Sequence, residues 1–218
     1  MIPKKYLWLI FLPVIILSLG LLVFLIYQFK PLLPSDSVYE KAKMVKNFHI
    51  PIYSQDPIYG NIKATTTIIV FEDYNCTECK KHLAFFQNLL KKYPTQIKLV
   101  WKNTLLNNFD ENKILAHQYA YCASKQKQFW PFQIFVFENE KILSPSILNA
   151  IVNKLDLNTR KFEKCLKNEE TSNYLERNKI LAQLLGIKNI PTIFLNNKQI
   201  NSTNDLANEL NNLFGDKK

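Results

Sequence analysis

The first thirty residues are patterned unlike the rest of the chain. From Tyr6 to Phe29 there is no charged residue, and Leu7 to Tyr27 is almost wholly apolar, with Ser18 and Gly20 as mild exceptions. A helix needs about 20 apolar residues to cross the hydrocarbon core of a bilayer, so this run predicts one N-terminal transmembrane helix. The apolar region of a cleavable signal peptide is about 7–15 residues and ends at a small-residue site; this run is longer, and no Ala-x-Ala pattern follows it. Pro13 is compatible with a membrane span. Charge does not orient the helix, because Lys4 and Lys5 flank one end while Lys30, Lys41, Lys43 and Lys46 follow the other.

Past this run the pattern divides the chain into a linker, residues 31–47, and one domain, residues 48–218. Pro31 to Ser37 is proline-bounded, and Val38 to Lys46 reads as a short helix or as unstructured chain. Asn47 to Tyr53 alternates enough for an edge strand, and Asp56-Pro57-Ile58-Tyr59-Gly60-Asn61 carries turn chemistry. Thr65 to Phe71 is β-branched and apolar, the main strand. A helix starting near Cys76 repeats Leu83, Phe86, Leu89 and Leu90 at helical spacing until Tyr93-Pro94, and Ile97 to Trp101 is again a strand. Strand, helix, strand in that order implies parallel strands joined by a crossover.

From about 110 to 186 the periodicity is helical throughout. Ile114, His117, Ala120 and Tyr121 mark one helix, Phe129 to Phe137 an aromatic one, and Ser144 or Ser146 caps another that runs through Leu155. Leu157-Asn158 precedes a helix through Cys165 and Leu166, and Glu170 to Leu185 forms a long one ended by Gly186. The strand pattern then returns at Pro191 to Leu195 and Gln199-Ile200, either side of a turn at Asn196-Asn197. Ser202 or Thr203 caps a last helix, Asn204 to Phe214. The fold class is therefore α/β, with an all-helical block inserted into a small sheet and an apolar helix in front.

Composition adds little. The net charge of +10 comes from scattered lysines, with only 4 glycines in 218 residues. Nucleic-acid binding calls for basic residues clustered on one element, and no such cluster exists.

The candidate chemistry lies where the main strand runs into its helix. Phe71-Glu72-Asp73-Tyr74-Asn75-Cys76-Thr77-Glu78-Cys79 sets two cysteines three positions apart at a helix N-terminus, whose free N–H groups and partial positive charge favour a thiolate. A four-cysteine zinc site needs a second pair with matching spacing; Cys122 and Cys165 stand alone, so no metal is expected. His82, one turn beyond Cys79, could complete a three-ligand set, although a lone histidine on a helix is more often solvated or packed. His49 and His117 receive no role. Asn75-Cys76-Thr77 and Asn201-Ser202-Thr203 match the glycosylation pattern formally, as chance allows in an asparagine-rich chain.

That segment, together with Ala120-Tyr121-Cys122-Ala123-Ser124, Gln128-Phe129-Trp130 and Leu185-Gly186-Ile187-Lys188-Asn189-Ile190-Pro191-Thr192, resembles the DsbA-like branch of the thioredoxin superfamily. The resemblance covers roughly residues 50–214. It implies a thioredoxin fold interrupted by a helical insertion and an extracytoplasmic thiol–disulfide oxidoreductase that uses no cofactor. Cys76 resembles the family's exposed nucleophile and Cys79 its buried partner. Ile190-Pro191 resembles the cis-proline loop that lines the substrate site. Cys122 and Cys165 resemble a second, structural disulfide of some members, with two free buried cysteines as the alternative. The implied partners are reduced exported proteins and a quinone-linked membrane protein of the DsbB or vitamin K epoxide reductase type. The implied location is the outer face of a cytoplasmic membrane, the periplasmic side.

Two departures bear on the direction of electron flow. Glu78 stands between the cysteines, where strongly oxidising relatives have neutral or basic residues, and a carboxylate near Cys76 opposes its thiolate. Val70 occupies the position six before Cys76, where the superfamily often places a buried carboxylate; Glu72 and Asp73 are candidates to replace it, but at different phases of the strand. The expectation is a disulfide oxidase or isomerase less oxidising than the strongest members. The rival readings are a membrane-anchored reductant of exported thiols or of cytochrome maturation, and a non-catalytic binding or chaperone module.

Overall fold

The computed structural model describes residues 7–29, 49–105 and 111–215, in two compact units, 1–46 and 47–218. The linker 31–47 and the short helix considered at 38–46 lie outside the described residues.

In the first unit, α1 (Leu7–Phe29) runs for 23 residues. Its described side chains, Leu12 and those from Ile15 to Leu25, are exposed. Among the described residues no helix is long and apolar enough to cross a membrane. α1 lies where the apolar run of the sequence places a helix.

The second unit is built on a five-stranded sheet in the order β1-β3-β2-β4-β5. The strands are β1 (Ile58–Gly60), β2 (Thr66–Glu72), β3 (Ile97–Asn103), β4 (Thr192–Leu195) and β5 (Lys198–Ile200). The crossover helix α2 (Thr77–Lys92) joins β2 to β3, which are parallel from Thr66↔Ile97 to Glu72↔Asn103; the other pairings are antiparallel. Five helices follow β3: α3 (Glu111–Ser124), α4 (Phe129–Glu138), α5 (Pro145–Lys154), α6 (Thr159–Leu166) and α7 (Glu169–Leu184). After β5 comes α8 (Thr203–Phe214). Ser144, Asn158 and Ser202 accept hydrogen bonds from the backbone N–H three residues on, and each thereby opens a helix. At the end of α7, Gly186 takes φ +67° and Ile187 N–H reaches back to the Ala182 carbonyl, a left-handed helix stop.

The two faces of β2 follow the period of two. Ile68 and Val70 pack with Leu99 and Trp101 of β3 and with Phe86, Leu89 and Leu90 of α2, in a cluster continuous with the insertion. Ile69 and Phe71 pack with Val100, Phe194 and the α7 residues Leu181 and Ala182.

The edge strand expected at Asn47 to Tyr53 is corrected. The strand is β1, within the segment read as a turn, and the turn lies just before it, where Asp56 N–H donates to the Tyr53 carbonyl (3.1 Å) and Tyr53 N–H to Asp56 Oδ2 (2.6 Å). Gly60 permits the pairing: at φ +89° it lies so near α2 and β3 that a Cβ would stand 2.5 Å from Leu90 Cδ2 and 2.9 Å from the Ile97 oxygen. The preceding chain is held by side chains. Asp56 forms a buried ion pair with Lys102 of β3, Lys102 Nζ also donates to the Pro51 carbonyl (2.8 Å), and Tyr174 of α7 donates to Asp56 Oδ1 (3.0 Å).

Candidate active site

Cys76 is the N-cap of α2, with extended backbone (φ −140°, ψ 102°), and its sulfur accepts a hydrogen bond from the Cys79 N–H at 3.0 Å. The two cysteines form a disulfide with Cα atoms 5.2 Å apart. Cys79 is fully buried, whereas Cys76 retains 9% exposure. An incoming thiolate therefore reaches Cys76 first. The sulfur it meets stands at the end of α2, where unpaired N–H groups and the helix dipole stabilise negative charge.

Glu78 is exposed and pairs with Lys81 at 2.6 Å in solvent. The carboxylate that enters the protein is Glu72, 2% exposed, at the end of β2. Trp101 Nε1–H donates to Glu72 Oε2 at 2.9 Å, and His82 Nδ1 lies 2.9 Å from Oε1. The expectation that Glu72 is out of phase with Val70 is thereby corrected: two residues on, it faces the same side, toward Trp101 and α2. A void of about 10 Å³, lined by Glu72, Trp101 and Gln133 among others, adjoins it, and Gln133 Oε1 is buried without a partner. That is room for about one water.

Asp73, the next residue, turns to the insertion. His117 of α3, wholly buried, places Nε2 2.8 Å from Asp73 Oδ1, and that oxygen also accepts the Asn75 N–H at 3.2 Å. Burial pushes the Asp73 carboxyl up, but the His117 side chain and the backbone N–H groups of Asn75 and Tyr74 outweigh it and hold it below its ordinary value. The Tyr74 ring lies 4.6 Å from His117 and 5.6 Å from Trp101, centroid to centroid. Two histidine–carboxylate pairs thus stand around the segment that carries Cys76. On sequence alone His82 reads as a metal ligand or as a solvated or packed residue, and His117 takes no role. Two adjacent acids at the end of a buried strand were the available signal, since each needs a partner once buried.

The Ile190-Pro191 peptide is cis. Thr192, the next residue, pairs with Phe71, which puts Pro191 beside the end of β2, and Ile190 packs half-buried on the cluster that includes Cys76 and Cys79. Cys122 of α3 and Cys165 of α6 are bonded, away from this constellation in sequence, with Thr171 Oγ1 3.9 Å and 3.7 Å from their sulfurs. His49 lies 3.5 Å from Asn197 through Nδ1 at an exposed position. Among the described residues no group of three or more histidine, cysteine or acidic side chains is arranged to hold a metal ion.

A sheet of this order with a disulfide capping its crossover helix and a cis-proline at the neighbouring strand defines a thioredoxin-like oxidoreductase fold. Residues 53–212 match the family described as Thioredoxin, and the chain belongs to it. The solved structure of the thiol–disulfide exchange protein alpha-DsbA2 from Wolbachia pipientis superposes with a TM-score of 0.68 at 16% identity, covering 82% of this chain and 96% of that one. Oxidised BdbD from Bacillus subtilis gives a TM-score of 0.65 at 21% identity, covering 74% and 94%. Among curated proteins, the Na(+)/H(+) antiporter NhaA 3 of Salinispora tropica is 23% identical over 145 residues, 66% of this chain and 22% of that protein. The chain thus spans about a fifth of the length of the curated relatives it matches.

Proposed function

We propose that this protein is an extracytoplasmic thiol–disulfide oxidoreductase, tethered to a membrane by α1, that forms or exchanges disulfides in exported proteins. The observation that carries the reading is the disulfide between the N-cap Cys76 and the buried Cys79. In the oxidising direction a substrate thiolate attacks Cys76 Sγ. The Cys76–Cys79 bond breaks, Cys79 leaves as a thiolate and takes up a proton, and a second substrate thiolate then displaces Cys76. The substrate loses two electrons and the enzyme dithiol gains them. In the reverse direction Cys76 attacks and Cys79 resolves. Ile190 and Pro191 hold the substrate segment beside Cys76, and reoxidation falls to a quinone-linked membrane partner. The outward-facing location follows from this chemistry, because disulfides persist in oxidising compartments.

A reductant of the same fold is the second reading, favoured by Glu72, since a buried carboxylate at the end of the strand leading to the pair disfavours the thiolate and hence oxidising power. Refolding of a reduced multi-disulfide substrate, compared with reduction of insulin, separates the two. Cys76→Ser is expected to abolish both activities, and Cys79→Ser to accumulate a mixed disulfide at Cys76. Full activity in Cys76→Ser would leave a binding or chaperone module instead.

A further inference from the structure

We propose that His117, on the inserted helix α3, is a positioning residue for the attacking cysteine. It fixes the Asp73 carboxylate, which holds the Asn75 N–H and so sets the path by which the chain delivers Cys76 to the start of α2. The inference rests on Cys76 being the reactive sulfur.

The segment between β2 and α2 is four residues long, Asp73 to the N-cap Cys76, and its course decides where Cys76 stands. Within it Asn75 N–H donates to Asp73 Oδ1 at 3.2 Å. Asp73 can hold that bond only while its own rotamer is held, and His117 reaches the same oxygen at 2.8 Å from 44 residues away. Charge-assisted bonds of this kind are short and directional.

The packing around His117 serves that one bond. The imidazole is fully buried, yet its Nδ1 has no partner, and the neighbouring Tyr74 hydroxyl has none either. A buried ring that leaves a nitrogen unpaired carries a desolvation cost. It is retained at a place where its other nitrogen meets the carboxylate next to the disulfide segment. The rings of Tyr74 and Trp101, at centroid distances of 4.6 Å and 5.7 Å, hold the imidazole in plane for that contact. A core histidine with only a packing role would be replaceable by an apolar ring of similar size. A positioning histidine would not.

Two substitutions separate these roles. His117→Phe keeps a ring between Tyr74 and Trp101 and removes the donor; His117→Gln gives up the ring and supplies an amide N–H without charge. Single-turnover exchange of the oxidised full chain with a small dithiol, monitored by Trp fluorescence, gives the rate. The Phe variant is expected to react about 10-fold more slowly, the order of effect of losing one charge-assisted hydrogen bond, with the Gln variant within about threefold of native. In an Asp73→Ala background His117→Phe adds no further loss, because both act through one bond. A Phe variant as fast as native, a Gln variant as slow as Phe, or additive losses would each overturn the proposal. If the Phe variant does not fold, hydrogen exchange at the Asn75 amide in the native protein decides, protection supporting the proposal and free exchange refuting it. A failure of the wider reading shows separately, as activity that survives Cys76→Ser.

Discussion

The bond between Cys122 and Cys165 can be removed without touching the reactive pair, and its effect can be worked from chain length. The two residues are 43 apart. In the chain-entropy treatment, closing a loop of that length lowers the entropy of the unfolded chain by roughly 13 cal/mol/K, or about 4 kcal/mol at 25 °C. The perturbation is the double substitution Cys122→Ala, Cys165→Ala, which exchanges one bond for two small side chains. Thr171 remains tied to the Cys165 carbonyl at 2.6 Å, so the junction of α6 and α7 keeps its polar anchor. For a domain of this size each kcal/mol moves Tm by about 2–4 °C, so the variant is expected to melt about 8–16 °C lower. Thermal unfolding without reductant, with the Cys76–Cys79 pair oxidised in both proteins, gives the comparison. Since the effect lies in the unfolded chain, the urea m-value should rise as well. A Tm within about 3 °C of native, or two alkylatable thiols in the native protein after full oxidation, would refute the reasoning.

Three further outcomes follow from buried polar groups. Asp56→Ala strands the Lys102 ammonium and the Tyr174 hydroxyl, and is expected to cost about 3–5 kcal/mol in urea unfolding; burial already raises the Asp56 carboxyl and lowers the Lys102 ammonium from their ordinary values. Asp73, held below its ordinary value, contributes stability that is full above the unfolded carboxyl pKa of about 3.9 and is lost as pH falls through the folded value. Native protein should therefore lose its margin over Asp73→Asn below about pH 4 and keep it unchanged above about pH 5, in unfolding measured across that range. Trp101→Phe removes one donor to Glu72 and part of a buried ring packed against Tyr74, His117 and Phe129, so the loss in urea unfolding is expected to exceed the about 1.5–3 kcal/mol of the charged hydrogen bond alone.

Much of the fold was legible because periodicity reports burial. The main strand, its crossover helix, the helical block and the final helix repeat apolar residues at the spacing each element needs, and Ser144, Asn158, Gly186 and Ser202 mark ends by local chemistry alone. β1 was not legible, since three residues are too few to show a period, and Gly60 looks like a turn residue until Leu90 and Ile97 are seen to leave no room for a side chain. The cysteine pair announced itself by spacing. His82 and His117 did not, because pairing with Glu72 and Asp73 across 10 and 44 residues is a property of packing. Both acids were visible as unusual at a buried strand end, but nothing local says which partner each takes.

The residue expected to tune the potential of the pair is not the one the motif suggests. Glu78 lies between the cysteines, yet it is exposed and its charge is met by Lys81 in solvent, where Coulomb effects are weak and screened by salt. Glu72 is buried at the end of the strand that leads to Cys76, so a charge on it is screened less than one in solvent. A carboxylate there raises the energy of a Cys76 or Cys79 thiolate, and the reduced form loses the stabilisation that makes a strong oxidant. The expected reduction potential is therefore more negative than the value of about −120 mV typical of DsbA. Glu72→Gln should raise it by about 30 mV, a tenfold change in the equilibrium with glutathione. Glu78→Gln should move it by much less. Equilibration with glutathione buffers, read by alkylation of Cys76, measures all three proteins. A native value near that of DsbA, or a larger shift for Glu78→Gln than for Glu72→Gln, would return the control of this disulfide to the dipeptide between its cysteines.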